Sequence, residues 1–234
     1  MEAITDTMLE VWLDKSRNDK DFGLLKKGVN PPPNGEPITL EKLKEMIKNG
    51  EDVTKVNTSQ ITDMSGIFYE KTKFNQDISG WDVSNVTNMK WMFRTAKSFN
   101  QPIDNWDVSK VTNMDGMFSR TQAFNQPIAN WNVSKVTNMD NMFRYADVFN
   151  QSIGNWDVSK VTNMDNMFRY TEKFNQSIAN WDVSNVTTMV GMFQKAKVFN
   201  QPINNWNVNN VQDWKEIFKY AIAMKEENKP EKFR

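Results

Sequence analysis

The chain has 234 residues, and its 29 Lys and Arg side chains balance 29 Asp and Glu side chains, so its net charge is zero. This balance argues against bulk electrostatic capture, and we expect neither nucleic-acid binding nor membrane insertion. The sequence contains no Cys and no His. It therefore has no disulfide and no thiolate nucleophile, and it lacks the commonest general base and the commonest metal ligand.

The first 50 residues predict a helical cap with a proline-rich linker. Residues 1–20 have apolar side chains at helical spacing, and residues 28–37 (GVNPPPNGEP) are typical of a rigid, turn-rich connection. A second helix is expected after Thr39, which suits an N-cap, and before Gly50, which suits a stop. We expect this helix to cover the first unit of the array that follows.

A 25-residue period runs through residues 51–218. The members of three columns recur at this step, and they are Trp81, Trp106, Trp131, Trp156, Trp181 and Trp206; Phe74, Phe99, Phe124, Phe149, Phe174 and Phe199; and Met64, Met89, Met114, Met139, Met164 and Met189. Such a period is typical of a solenoid, in which stacked units bury a continuous core. We expect these three columns to form that core.

Within one unit the apolar spacing changes from two to about 3.6. Trp81 and Val83 alternate with polar residues and predict a strand, whereas Met89, Met92 and Phe93 predict a short helix. A column of threonines precedes each predicted helix and suits its N-cap, namely Thr87, Thr112, Thr137, Thr162 and Thr187. The predicted fold is thus an α/β repeat solenoid, right-handed and leucine-rich-repeat-like, with about seven strand–helix coils. Residues 219–234 are expected to add a C-terminal capping helix with a charged tail.

Two polar columns allow more than one interpretation. We expect the asparagines after each repeating Phe to form a buried structural ladder; they are Asn75, Asn100, Asn125, Asn150, Asn175 and Asn200. The carboxylates of the predicted strand face are Asp82, Asp107, Asp157 and Asp182, and Asn replaces Asp at 132 and 207. Because Asn interrupts the row twice and a coil offers at most one carboxylate at this slot, a Ca²⁺ row is disfavoured. We expect a polar, partner-binding face and no metal site.

The positions that vary between repeats supply the second candidate surface. Arg144, Tyr145, Arg169 and Tyr170 should lie side by side on adjacent repeats, and Trp91 should face outward. Arg, Tyr and Trp are enriched at binding hot spots. Phosphate-binding loops, nucleophile elbows and zinc-protease motifs are missing from the sequence, so we expect no catalytic residues, no cofactor and no enzyme activity.

The unit FNQPIxNWDVSxVTNMxxMF resembles the BspA-like repeat, a Mycoplasma-type domain of unknown function found largely in bacterial surface proteins. The resemblance covers residue 53 to about residue 220 and implies adhesion or protein binding at a cell surface. The sequence itself shows no secretory signal or lipid-bearing Cys. We therefore expect a non-enzymatic protein–protein interaction or adhesion module, with the partner's identity and the compartment open. The alternatives are a carbohydrate-binding module that uses Trp91, Tyr145 and Tyr170, or a purely structural spacer.

Overall fold

A computed structural model describes residues 35–234. This part of the chain contains one α-helix, α1 (Leu40–Asn49), and two short 3-10 helices, Glu226–Asn228 and Glu231–Phe233. Within residues 35–234 no strand or sheet forms, and pairing is limited to isolated parallel bridges such as Asn113 with Asn138. The helix expected within residues 1–20, and most of the linker at 28–37, lie outside the described residues.

Helix α1 confirms the predicted second helix. The Thr39 side-chain oxygen accepts a hydrogen bond from the Lys42 N–H at 3.2 Å, and Gly50 ends the helix in a left-handed conformation. Leu43 and Ile47 are buried in the core. Residues 60–63 line a cleft beside the start of the helix, and residues 70–76 line one beside its end. The helix therefore lies across the first repeat.

The prediction of an α/β solenoid built from strand–helix coils is wrong. The segments predicted as helices are successions of tight turns, and each contains two left-handed residues four positions apart, such as Trp91 (φ 56°) and Thr95 (φ 64°). A right-handed α-helix cannot continue through such residues. In five of the seven repeats the first left-handed position holds Gly or Asn, the residue types that adopt this conformation most readily; they are Gly66, Gly116, Asn141, Asn166 and Gly191.

Alternate backbone N–H groups hold the repeats in register. In the second repeat the N–H groups of Met92 and Arg94 close turns to the carbonyl three residues before, whereas those of Trp91 and Phe93 donate to the next repeat. Six repeats each donate four such bonds, at 2.7–3.1 Å, to carbonyls 24 residues further along the chain. Backbone groups are thus satisfied between repeats without a continuous sheet.

The core columns are confirmed. The six repeating tryptophans are 0–5% exposed. Each Trp Nε1–H also donates to a backbone carbonyl 28 residues earlier, as Trp156 does to Ile128 at 3.0 Å. The six repeating Met side chains are buried, and so are the repeating Phe rings from Phe99 to Phe199, whereas Phe74 is partly buried. The Phe rings stack between repeats, with the centroids of Phe124 and Phe149 6.2 Å apart. Each indole therefore contributes both apolar burial and a hydrogen bond between repeats.

The Asn ladder is confirmed in its bonding but not in its burial. The Asn75 Oδ1 accepts from the Asn100 N–H at 2.9 Å, and the same link recurs along the column. These side chains are half-buried or exposed rather than buried. The predicted Thr caps are wrong because no helix follows them. Instead, the Thr112 hydroxyl donates to the Thr87 carbonyl at 3.2 Å, which adds another link between repeats.

The predicted C-terminal capping helix is also wrong. Residues 219–234 form turns and the two 3-10 helices, because Tyr220 is left-handed (φ 62°) and Pro230 lacks an N–H. The tail still packs on the last repeat. The Phe233 ring lies 5.7 Å from the Trp214 ring, and the Lys232 Nζ donates to the Val211 carbonyl at 2.7 Å.

Candidate interaction surface

A row of cationic and aromatic side chains follows the second left-handed position of the repeats. We call it the cation–aromatic stripe, and it consists of Arg120, Arg144, Tyr145, Arg169, Tyr170, Lys195, Lys219 and Tyr220. The structure brings together the four residues that the sequence placed side by side, and it adds Arg120, Lys195, Lys219 and Tyr220. The signal for these additional residues was present in the sequence, since they occupy the same repeat slots as Arg144 and Tyr145.

The centre of the stripe is a stacked pair of tyrosines. The rings of Tyr145 and Tyr170 lie 4.2 Å apart at an angle of 16°. Arg120 lies over Tyr145 at 4.8 Å from the centroid, and Lys195 lies over Tyr170 at 4.6 Å. The Lys195 Nζ also donates to the Tyr170 hydroxyl at 2.8 Å, and this bond holds the pKa of Tyr170 below its usual value. Cations thus bracket the ring pair on both sides.

Two arginines beside the ring pair retain unused hydrogen-bond donors. Arg144 and Arg169 each donate from Nη1 to an asparagine Oδ1 of the same repeat, at 3.3 and 3.1 Å. Their Nε atoms are buried and have no hydrogen-bond partner among the described residues. An unpaired buried donor is costly. A ligand cannot reach these buried atoms, but it can meet the other guanidinium N–H groups of the two half-buried side chains, and a carboxylate is the acceptor that guanidinium geometry favours.

The backbone fixes where these side chains stand. The second left-handed position is never glycine, and its seven occupants are Glu70, Thr95, Arg120, Tyr145, Tyr170, Lys195 and Tyr220. Left-handed conformation costs a non-glycine residue about 1–2 kcal/mol, and such strain persists only where the surrounding structure enforces it. Here the inter-repeat hydrogen bonds enforce it, so the stripe is organised before any partner arrives.

Trp91 stands apart from the ring pair. It is 37% exposed, and its ring lies 6.3 Å from Tyr69, with Arg94 over it at 5.0 Å. Its backbone belongs to a left-handed turn rather than to the predicted helix. A cleft of about 370 Å³ lies between Tyr69 and Arg94 on one side and Arg120 and Tyr145 on the other. Sequence reasoning missed Tyr69 and Arg94 as lining residues of this surface.

The predicted carboxylate face has a local structural role. Each Asp of that column accepts a hydrogen bond from the backbone N–H two residues on, as Asp82 does from Ser84 and Asp107 does from Ser109, both at 3.0 Å. The equivalent bonds lower the pKa of Asp157 and Asp182. Within residues 35–234 no group of three or more His, Cys, Asp or Glu side chains is arranged to hold a metal ion.

A second carboxylate column lies three residues after the Thr column. Asp115, Asp140 and Asp165 occupy one slot in three successive repeats. Asp115 is 6% exposed and pairs with Lys90 at 2.9 Å, and Asp165 accepts from the Val190 N–H at 2.6 Å. Burial, together with the neighbouring carboxylates of Asp115 and Asp165, raises the pKa of Asp140 to about 6.

The geometry defines a class of repeat protein in which each unit is built from turns rather than from helices and strands. The units together present a preorganised surface of cationic and aromatic side chains. The profile of the family described as "Mycoplasma protein of unknown function, DUF285" matches residues 39–153 and 125–231, and the chain belongs to this family. No match was found among curated proteins. No helix in residues 35–234 is both long and apolar enough to cross a membrane.

Proposed function

We propose that this protein is a non-enzymatic protein–protein interaction or adhesion module, and that the cation–aromatic stripe is its contact surface. The observation that carries the proposal is the stacked pair of Tyr145 and Tyr170, which has Arg120 and Lys195 over its two outer faces and the half-buried Arg144 and Arg169 beside it. Hot spots of protein interfaces are enriched in these residue types.

The charge of the stripe indicates the chemistry of the partner. Lys219 pairs with Glu216 at 2.5 Å, whereas Arg120, Arg144, Arg169 and Lys195 form no ion pair within the described residues. Four unneutralised cations in adjacent repeats favour a protein surface or segment that presents acidic side chains. Because the side chains are already fixed, less conformational entropy is lost on binding.

The resemblance to BspA-like surface repeats favours adhesion as the biological setting. The BspA-like character and the cell-surface location are parts of the proposal, as is the absence of enzyme activity.

The test is a comparison of three proteins in a binding assay against extracellular-matrix proteins and cell lysate. The first is the wild type and the second is Arg144→Gln/Arg169→Gln, which removes both Nε donors. The third is the control Asp157→Asn/Asp182→Asn, in which Asn can keep the turn bonds, as Asn132 does with Ser134.

We expect a partner that binds the wild type and the control, is lost by the arginine variant, and dissociates as salt is raised. Equal retention by all three proteins would refute the assignment of the stripe. If no protein binds, and a neutral glycan binds in a manner that Tyr145→Asn/Tyr170→Asn abolishes, the carbohydrate-binding alternative replaces the proposal. Asn is chosen there because it tolerates the left-handed conformation.

A further inference from the structure

The last repeat carries a row of backbone donors that nothing in residues 35–234 uses. In each earlier repeat the four alternate N–H groups donate to the next repeat. The equivalent groups of the last repeat belong to Trp214, Glu216, Phe218 and Tyr220, and they make no hydrogen bond within the described residues. The carbonyls between them are occupied, as the Lys215 carbonyl accepts from Gly191 and the Ile217 carbonyl from Phe193, both at 2.9 Å. This segment is therefore fully bonded on one side and open on the other.

The C-terminal tail, residues 219–234, forms hydrogen bonds with other backbone groups near this end of the array but not with these four N–H groups. The Asn228 carbonyl accepts from the Ile203 N–H at 2.9 Å, and the Asn228 side chain donates to the Asn200 carbonyl at 3.0 Å. Lys232 donates to the Val208 and Val211 carbonyls. The link from Asn228 to Asn200 has the form of the link from Gln126 to Asn100 between earlier repeats, whereas the four N–H groups have no acceptor within the described residues.

The open row borders an apolar cleft. The cleft has a volume of about 480 Å³, and Trp214, Ile217, Phe218 and Phe233 contribute its apolar lining. Four residues after Phe218 in the chain, the side chain of Ile222 is 81% exposed. Free backbone donors beside exposed apolar groups are the features that make an unprotected edge bind another chain.

We propose that a segment of another protein chain binds here in the turn conformation of a repeat, with carbonyl groups of alternate residues accepting from the four N–H groups and with apolar side chains entering the cleft. The argument is continuity with an established interface, because the same donor row binds such a segment in six preceding repeats. A second copy of this chain is disfavoured as the occupant. It would have to offer the matching carbonyls of its first repeat, and helix α1 lies across that repeat. This inference is independent of the stripe and adds a second site, with a backbone-directed mode of recognition.

The test uses a peptide whose docking on such a row is visible inside the protein. Residues 112–121 (TNMDGMFSRT) offer the carbonyls of Asn113, Asp115, Met117 and Ser119 to the preceding repeat. A capped synthetic peptide of this sequence is titrated into the protein to roughly 1 mM. Amide hydrogen exchange and NMR shifts are followed at Trp214, Glu216, Phe218 and Tyr220. The control peptide has the reversed sequence and thus the same composition.

We expect these four amides to exchange rapidly in the free protein and to slow about tenfold when the peptide reaches roughly nine times its Kd. Trp214→Ala should weaken this protection, whereas Arg144→Gln/Arg169→Gln should leave it unchanged, which separates this site from the stripe. Absence of protection at the highest peptide concentration would overturn the proposal, as would equal protection by the reversed peptide. Protection that grows with protein concentration alone would instead identify a second copy as the occupant and would also overturn it.

Discussion

Replacing Asp140 with Asn should remove a pH-dependent loss of stability. Asp140 lies in one column with Asp115 and Asp165, and its folded-state pKa is about 6 because burial and both neighbours oppose its ionisation. The ordinary value is 3.8. A group with a raised folded pKa stabilises the fold fully below its unfolded pKa, and this contribution disappears as the pH rises through the folded pKa. The free energy of unfolding should therefore fall between about pH 4 and pH 7.

The size of the effect follows from the two pKa values. The interval from 3.8 to about 6 corresponds to about 3 kcal/mol at most. Because Asp140 is only half-buried, solvent screening reduces this to about 1.5 kcal/mol. Asn cannot ionise, so Asp140→Asn should raise the free energy of unfolding by that amount at pH 7.5 and change it little at pH 4. The assay is urea unfolding of both proteins at the two pH values, with the carboxyl carbon of Asp140 titrated by NMR in the wild type.

Asp157→Asn is the matched control, since Asp157 has a lowered pKa and lies in the other carboxylate column. Its ionised form is the stabilised one, so this substitution should give no gain at pH 7.5. A gain for Asp140→Asn that is the same at pH 4 and pH 7.5 would show that the effect is packing and not ionisation. A loss of stability at pH 7.5 would show that the Asp140 charge is compensated, and the electrostatic reasoning would then be wrong.

Further substitutions test the turn geometry and the indole ladder. Gly116→Ala and Gly66→Ala should each lower the free energy of unfolding by about 1 kcal/mol, because alanine is strained in the left-handed conformation. Gly116→Ala should cost about 1 kcal/mol more and shift the fluorescence of Trp91, because its new Cβ would lie 2.7 Å from the Trp91 ring. Equal costs for the two substitutions would contradict that contact. Trp156→Phe should cost about 2 kcal/mol in urea unfolding, because it leaves the buried Ile128 carbonyl without its hydrogen-bond donor, and a cost below about 0.5 kcal/mol would show that this bond contributes little to stability.

The parts of the fold that the sequence predicted depend on residue type and spacing alone. A 25-residue period places Trp131 beside Trp156 whatever backbone connects them, and their rings stack 6.4 Å apart. Helix α1 was predictable because Thr39 and Gly50 mark its ends independently of tertiary contacts. The stacking of Tyr145 on Tyr170 follows from the same period.

The secondary structure of the repeat was not predictable from apolar spacing. Met89, Met92 and Phe93 share a face in a helix, but overlapping turns place the same residues in the core. The period of 3.6 therefore does not distinguish the two conformations here. The signal that does distinguish them is the Gly or Asn at positions such as 116 and 141, because these residue types are unfavourable inside a helix and adopt the left-handed conformation readily. Because no helix follows the threonines of the repeats, they do not act as helix caps.

The same hydrogen-bond pattern explains why the variable side chains collect in one column. At the second left-handed position the bond between repeats uses only the backbone N–H, as in Arg120 to the Arg144 carbonyl at 2.7 Å and Tyr145 to the Arg169 carbonyl at 2.9 Å. The side chain there can change without loss of that bond, and Glu70, Thr95 and Lys195 show that it does. The Trp column lacks this freedom because each indole is buried and donates to a backbone carbonyl 28 residues earlier, and the Phe column lacks it because the rings from Phe99 to Phe199 are buried. A binding surface can therefore vary at this column while the array keeps its register, which is the property an interaction module requires.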